Sequence, residues 1–193
     1  MKEFLGEVLA EVSARHVHLS KKDLNELFGQ NYELKEKNRL SQPGLFAAQE
    51  TVIIRNKDKE IKNVRIVGPC RKETQIEISR TDAYYLDINP PVKKSGNLEN
   101  TPGITIIGPK GEIQTEKGVI ISQRHIHLTE EKAKEWDLKE NDTVSAEIPG
   151  ERETEYRKIV VRIDPEFDLA IHLDTDEGNA AGVTKNTKAK IYK

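Results

Sequence analysis

Four of the chain's five histidines fall in two HxH pairs, His16/His18 and His125/His127; the fifth is His172. Side chains alternate faces along a strand, so residues i and i+2 share one. Each pair therefore sets two imidazoles side by side, close enough to share an ion. Histidine nitrogen suits Zn2+, and a catalytic zinc takes three protein ligands and keeps one position open. An HxH pair supplies two of the three. A single HxH is equally well explained by histidines hydrogen-bonded at a strand end. Here, however, both pairs sit at one place in two copies of a motif, VSARHVHLS (12–20) and ISQRHIHLT (121–129). Both copies keep both histidines, which argues that both pairs work.

The same internal comparison points to third ligands. Gln75-Ile76-Glu77-Ile78-Ser79 and Ala170-Ile171-His172-Leu173-Asp174 share the order apolar, ligand, apolar, small polar. The expected sites are His16, His18 and Glu77 in one copy, and His125, His127 and His172 in the other. Taken alone, Glu77 reads as a surface-facing strand residue and His172 as a buried neutral histidine. Arg71 follows a Gly68-Pro69 turn and could aim a guanidinium at the first site, where arginine suits bidentate phosphate binding. Otherwise it is one solvated arginine among many. Arg15 and Arg124 each precede a pair and alternate to the opposite face, so a structural or oligomer-contact role competes with a catalytic one. Cys70 reads as a small buried filler, since nothing nearby in sequence serves as its base. Asp174, Asp176, Glu177 and Asn179 either orient the histidines or act as turn and cap residues.

The elements that position these residues follow from local pattern. A polar, helix-forming stretch follows each motif, with Ser20 and Thr129 as N-caps. Ser20 and Asp23 have capping-box spacing, and Gly29 is placed to end the first helix. The charged segments 32–44 and 136–150 that come next both end in Pro-Gly. Val, Ile and Thr alternation predicts strands at 7–12, 50–55, 60–67, 73–79, 103–107, 111–115, 117–122, 142–148, 155–163, 168–173 and 188–192. Helices are expected at 21–28, 80–86, 130–136 and 177–181, with Ser79 and Asp82 capping the second. Gly108-Pro109-Lys110-Gly111 reads as a hairpin turn. Residues 87–102 form the longest loop, either a surface excursion or an active-site cover. The fold class expected is mainly β: two small β-barrels related by internal duplication and capped by short α-helices.

Composition narrows the classes. A chain of 193 residues holds one or two domains. No apolar run approaches the roughly 18 residues a membrane span needs. The 31 basic and 33 acidic side chains are interspersed at net charge −2, so no basic tract invites nucleic acid. The single cysteine allows no internal disulfide and no CxxC site, which favours a reducing compartment. The N-terminus lacks the long apolar core of a secretory signal, and a cytoplasmic location is expected.

Together, SARHVHLS, GPCRKETQIEIS, SQRHIHLT and HLDTDEGNAAG resemble the phosphotransacylases of the propanediol-utilisation type, or phosphate propanoyltransferases. The resemblance runs from about residue 8 to the C-terminus, and all four motifs in this order are highly specific. It implies two β-barrel domains with a two-zinc site between them. It also implies exchange of acyl-CoA plus phosphate for acyl phosphate plus CoA. Mapped motif by motif, the family's metal ligands fall on His16, His18, Glu77, His125, His127 and His172, with two Zn2+ per chain, and its phosphate-contacting arginine on Arg71. The basic residues that meet CoA are not marked by any motif. The family's barrels exchange segments, which implies one barrel over 15–121 and another over 1–14 with 122–193. Members housed in bacterial microcompartments carry an N-terminal amphipathic extension. Only about a dozen residues precede the first motif here, which counts against encapsulation; the expectation is a cytoplasmic enzyme using propanoyl-CoA or acetyl-CoA, with the microcompartment lumen as the alternative. Exposed strand edges leave room for a homodimer.

Three rival readings use the same histidines. A binuclear metallohydrolase would activate water and cleave a thioester or ester without phosphate. A cupin-like barrel would need a Glu several residues after the pair, where LSKKD offers only Asp23. A zinc-stabilised structural protein would have saturated coordination and no CoA binding.

Overall fold

The computed structural model describes residues 2–193. In chain order the elements are β1 (Phe4–Ser13), β2 (His16–His18), α1 (Lys21–Phe28), β3 (Glu36–Arg39), β4 (Phe46–Asn56), β5 (Lys59–Gly68) and β6 (Gln75–Glu77). They continue with α2 (Arg80–Tyr85), β7 (Val92–Lys93), β8 (Thr105–Ile107), β9 (Glu112–Gln114), β10 (Val119–Ser122) and β11 (His125–Leu128). The chain ends with α3 (Glu130–Glu135), β12 (Thr143–Ile148), β13 (Thr154–Ile163), β14 (Ala170–Asp174), α4 (Thr175–Ala181) and β15 (Lys188–Tyr192). The protein is mainly β with few short helices. No helix among the described residues is long and apolar enough to cross a membrane.

The chain divides into two compact units. One combines the residues up to Ala14 with Gln123–Lys193; the other is Arg15–Ser122. The first unit is a closed barrel in the order β1-β14-β11-β13-β12-β15. β1 closes it, parallel to β14 on one side and antiparallel to β15 on the other. The interior is apolar by strict alternation: Val8 and Ala10, Ile126 and Leu128, Ile171 and Leu173 all enter one core. A fully buried Ile or Leu of this kind contributes about 1.5–3 kcal/mol.

The second unit repeats the order with an opening. Its path is β7-β10-β6-β2-β5-β4-β8-β9, with β3 paired to β4 at the edge. β10 takes the place of β1 but has four residues against ten. It pairs with β6 and β7, and Val119 N–H donating to Pro102 O is its reach toward the β8 end. The expected second barrel is therefore an open sheet rolled about its own core of Val17, Leu19, Ile66, Ile76, Ile78 and Val119.

Several local expectations hold. α1 spans the expected residues with Ser20 as N-cap and Gly29, in the left-handed φ range, as C-cap. Ser79 and Asp82 form a full capping box on α2. Gly108 N–H donates to Gly111 O in the β8–β9 hairpin. The Ser20–Asp23 box is half-made. Ser20 accepts from the Asp23 N–H, but the Asp23 carboxylate accepts from Thr74 Oγ1 instead. Four strands fall outside the expected spans: β2 and β11, for which only the HxH alternation assumed a strand, and β3 and β7, which had no sequence expectation. β3 is charged and fully exposed, as edge strands often are, and β7 has two residues.

Candidate metal centres

Both triads are assembled by the same three-strand register. In the second unit β2 lies antiparallel to β6, with His16 opposite Glu77 and His18 opposite Gln75. It lies parallel to β5 on its other side. In the first unit β11 lies antiparallel to β14, with His125 opposite His172, and parallel to β13. Because Val17, Ile76, Ile126 and Ile171 take the core face, the donors are all on the outer face of their sheets. The duplicated motif thus becomes duplicated geometry. In each triad the three ligand atoms lie within 4.8 Å of one another.

The second unit's cluster is tightly convergent. His16 Nε2 is 3.2 Å from His18 Nε2. Glu77 Oε1 is 3.7 Å from the first and 3.9 Å from the second. Ligands about 2.0–2.2 Å from a tetrahedral ion sit roughly 3.3–3.6 Å apart, so the donors are already near coordinating separation. The tautomer is set from behind. His18 Nδ1 lies 3.1 Å from Val67 O, a carbonyl that can only accept, so Nδ1 carries the proton and Nε2 the lone pair. Burial, reinforced by His16 and Arg71, holds the His18 imidazole down at about 3. Burial pushes the Glu77 carboxyl up, but His16, His18, the Ser95 hydrogen bond and Arg71 together outweigh it and hold it at about 2. At neutral pH the site therefore presents neutral imidazole beside carboxylate, the forms a metal requires.

Arg71 belongs to this cluster. Its backbone is tied by its N–H to Leu19 O, and its Nη1 donates to Ser95 Oγ at 3.0 Å. Ser95 Oγ also accepts from Gln75 Nε2 (2.8 Å) and donates to Glu77 Oε1 (3.0 Å). One hydroxyl has one proton and two lone pairs, so these three bonds use all of it. Gln75 adds a direct bond from Nε2 to Glu77 Oε1 and accepts from Gly96 N–H at 2.7 Å. Part of the 87–102 loop is thereby stapled over β6. The guanidinium, the carboxylate and the loop form one network.

The first unit's cluster has three imidazoles. His125 and His172 stack with ring centroids 5.0 Å apart, and His127 lies 4.5 Å from His172. His125 Nδ1 is 2.9 Å from Gln123 O, which again leaves Nε2 to face outward as an acceptor. Both ring nitrogens of His127 are buried without a hydrogen-bond partner. An unsatisfied buried pair of this kind is costly, and a metal ion would relieve it. Burial, with His172, His125 and Arg162 nearby, holds the His127 imidazole down at about 2. The Phe167 ring covers it, stacked at 3.9 Å. Three histidines, or two with a glutamate, are donor sets of catalytic zinc, and both clusters suit a tetrahedral divalent ion.

The remaining sequence candidates resolve into supports. Arg15 makes a two-pronged pair with Asp82, the third residue of α2 (2.9 and 2.7 Å). Arg124 does the same work on Glu177, the third residue of α4, at 2.8 Å, and lies 5.0 Å over the Tyr156 ring. Each arginine locks the helix that follows the third-ligand strand. Asp174 and Glu177 form the capping box of that helix. Burial raises the Cys70 thiol, against a partly opposing pull from Lys21, which suits a protonated filler rather than a nucleophile.

The phosphate propanoyltransferase family model matches residues 9–184. A Thermotoga maritima phosphate propanoyltransferase is 50% identical over 96% of this chain and 88% of its own. A Clostridioides difficile counterpart is 43% identical over 100% of this chain and 91% of its own, and one from Rhodopseudomonas palustris 40% over 97% and 83%. This chain belongs to the phosphate propanoyltransferase family. The span that matches the family contains both triads and Arg71.

Gln75, Ser95 and Phe167 were not expected at the sites. Gln75 was findable, since it sits two residues before Glu77 on one strand face. Ser95 and Phe167 arrive from loops, where no periodicity reports which face a side chain meets.

Proposed function

We propose that this chain interconverts a short-chain acyl-CoA and phosphate with acyl phosphate and CoA. Propanoyl-CoA and acetyl-CoA are the expected donors. The reading takes two Zn2+ per chain, one on His16, His18 and Glu77 and one on His125, His127 and His172. Family membership supports acyl transfer to phosphate. The observation that carries the reading is the Arg71 guanidinium, joined through Ser95 to the Glu77 carboxylate of a metal-ready triad.

His16, His18 and Glu77, with His125, His127 and His172, would hold the ions, which would supply Lewis acidity to the thioester carbonyl and the departing thiolate. Arg71 binds the phosphate and, fixed by Ser95, orients it. At neutral pH phosphate already carries a deprotonated oxygen, so its attack needs no protein base. The new bond joins phosphate oxygen to the acyl carbon; the carbon–sulfur bond breaks and its electron pair stays on sulfur. Cys70, protonated and off this path, takes no part. Orientation and charge neutralisation supply most of the acceleration. A cytosolic setting fits the lone cysteine and balanced charge.

The test is thiol release from propanoyl-CoA with and without phosphate. Release that depends on phosphate, with one acyl phosphate formed per thiol, is expected. Equal release without phosphate would make water the nucleophile and overturn the reading.

A further inference from the structure

The two triads differ in charge. One contains a carboxylate, Glu77; the other is three imidazoles. The strand one step further out differs in the compensating sense. β10 runs parallel to β6 and sets Ile120 opposite Glu77. β1 runs parallel to β14 and sets Glu11 opposite His172. Ile120 and Glu11 hold equivalent places in the two copies. An apolar residue stands beside the carboxylate ligand, and a carboxylate stands beside the histidine ligand. Val8 and Ala10 enter the barrel core, which leaves Glu11 on the outer face with His172. Glu11 Oε2 lies 3.7 Å from His172 Nδ1, with both side chains mostly withdrawn from water.

The geometry points to Glu11 as the positioning residue of the three-histidine centre. Its carboxylate faces Nδ1 of His172, favours the proton on that atom and leaves Nε2 for the ion. At 3.7 Å the contact is in ion-pair range rather than at hydrogen-bond length. His18 and His125 already have their Nδ1 atoms on carbonyls, Val67 O and Gln123 O. Glu11 gives His172 the corresponding support from a charged acceptor, which makes the imidazole a stronger donor. It also places one formal negative charge beside each divalent ion. This inference rests on the two-metal reading above.

The test is the zinc dissociation constants of the wild type, Glu11→Gln and Glu11→Ala, measured by competition with a chromophoric chelator, with thermal melts of the zinc-free forms. Glu11→Gln keeps the shape of the side chain and guards against misfolding in Glu11→Ala. One of the two ions should bind about 10–100-fold more weakly in Glu11→Gln, the other unchanged, with the zinc-free melt at the wild-type temperature. Wild-type affinity for both ions in both variants would overturn the proposal. So would an equal loss of stability in the zinc-free forms, which marks a structural role, or complete loss of one ion from Glu11→Gln, which makes Glu11 a ligand. A wild type that binds no zinc would instead sink the two-metal reading itself.

Discussion

In the proposed reaction, Arg71 is the residue that would hold phosphate. Arg71→Ala should lower kcat/KM for phosphate by about 100-fold or more, since it removes a charge-assisted clamp at the reacting anion. Arg71→Lys should recover little, because an ammonium lacks the planar fork. Steady-state kinetics with phosphate varied check this; wild-type constants in Arg71→Ala would remove it from the mechanism. The buried histidines set a pH dependence. His18 and His127 are held near 3 and 2 in the folded chain, while unfolded histidines titrate near 6.5. The unfolded chain therefore binds protons first as pH falls. Stability of the metal-free protein should be full above about 6.5 and decline steadily toward 3. Glu77, depressed to about 2, adds to the loss in the same direction below its usual range. Urea denaturation of chelator-treated protein from pH 7 to 4 measures it, and a flat profile would contradict the burial argument.

At the scale of elements, the two arginine locks are the shared device. Asp82 is almost fully buried and depends on Arg15, itself partly exposed. Arg15→Ala should cost about 1–3 kcal/mol by leaving that carboxylate short of a partner. Chemical denaturation reads the cost, and zinc content should fall less than stability. Close packing gives a second case. A Cβ on Gly178 would run into Val12 Cγ2, so Gly178→Ala should force α4 away from β1 and cost about 1–3 kcal/mol. Much of this level was legible in the chain. The two halves could be compared with each other, and the match of 75–79 to 170–174 alone singled out Glu77 among the strand glutamates. α1 was legible because Ser20 and Gly29 bracket it. β3 was not, because Glu36–Arg39 is charged on both faces and pairs only at an edge. Ser95 was not, because its partners lie some twenty residues away along the chain. Glu11 stayed hidden because its meaning depends on β1 pairing with β14, a contact spanning nearly the whole sequence.

At the scale of the molecule, two half-copies have traded a strand. β1 leads into β2 by sequence yet completes the barrel of β11 and β14, while β10 leads into β11 yet pairs with β6. Residues 15–122 contain every strand of their own unit and should fold alone and bind one ion. Residues 123–193 lack β1, which closes their barrel, and should not fold without it; circular dichroism and metal content of the two fragments check both. In the proposed mechanism each unit holds one divalent ion and the reaction needs both. The most direct measurement is elemental analysis of freshly purified protein, alongside its His16→Ala and His125→Ala variants. Two zinc ions per chain are expected, falling to one in each variant, with activity lost on chelation and restored by zinc. Protein without bound metal, or activity indifferent to chelators, would contradict the account.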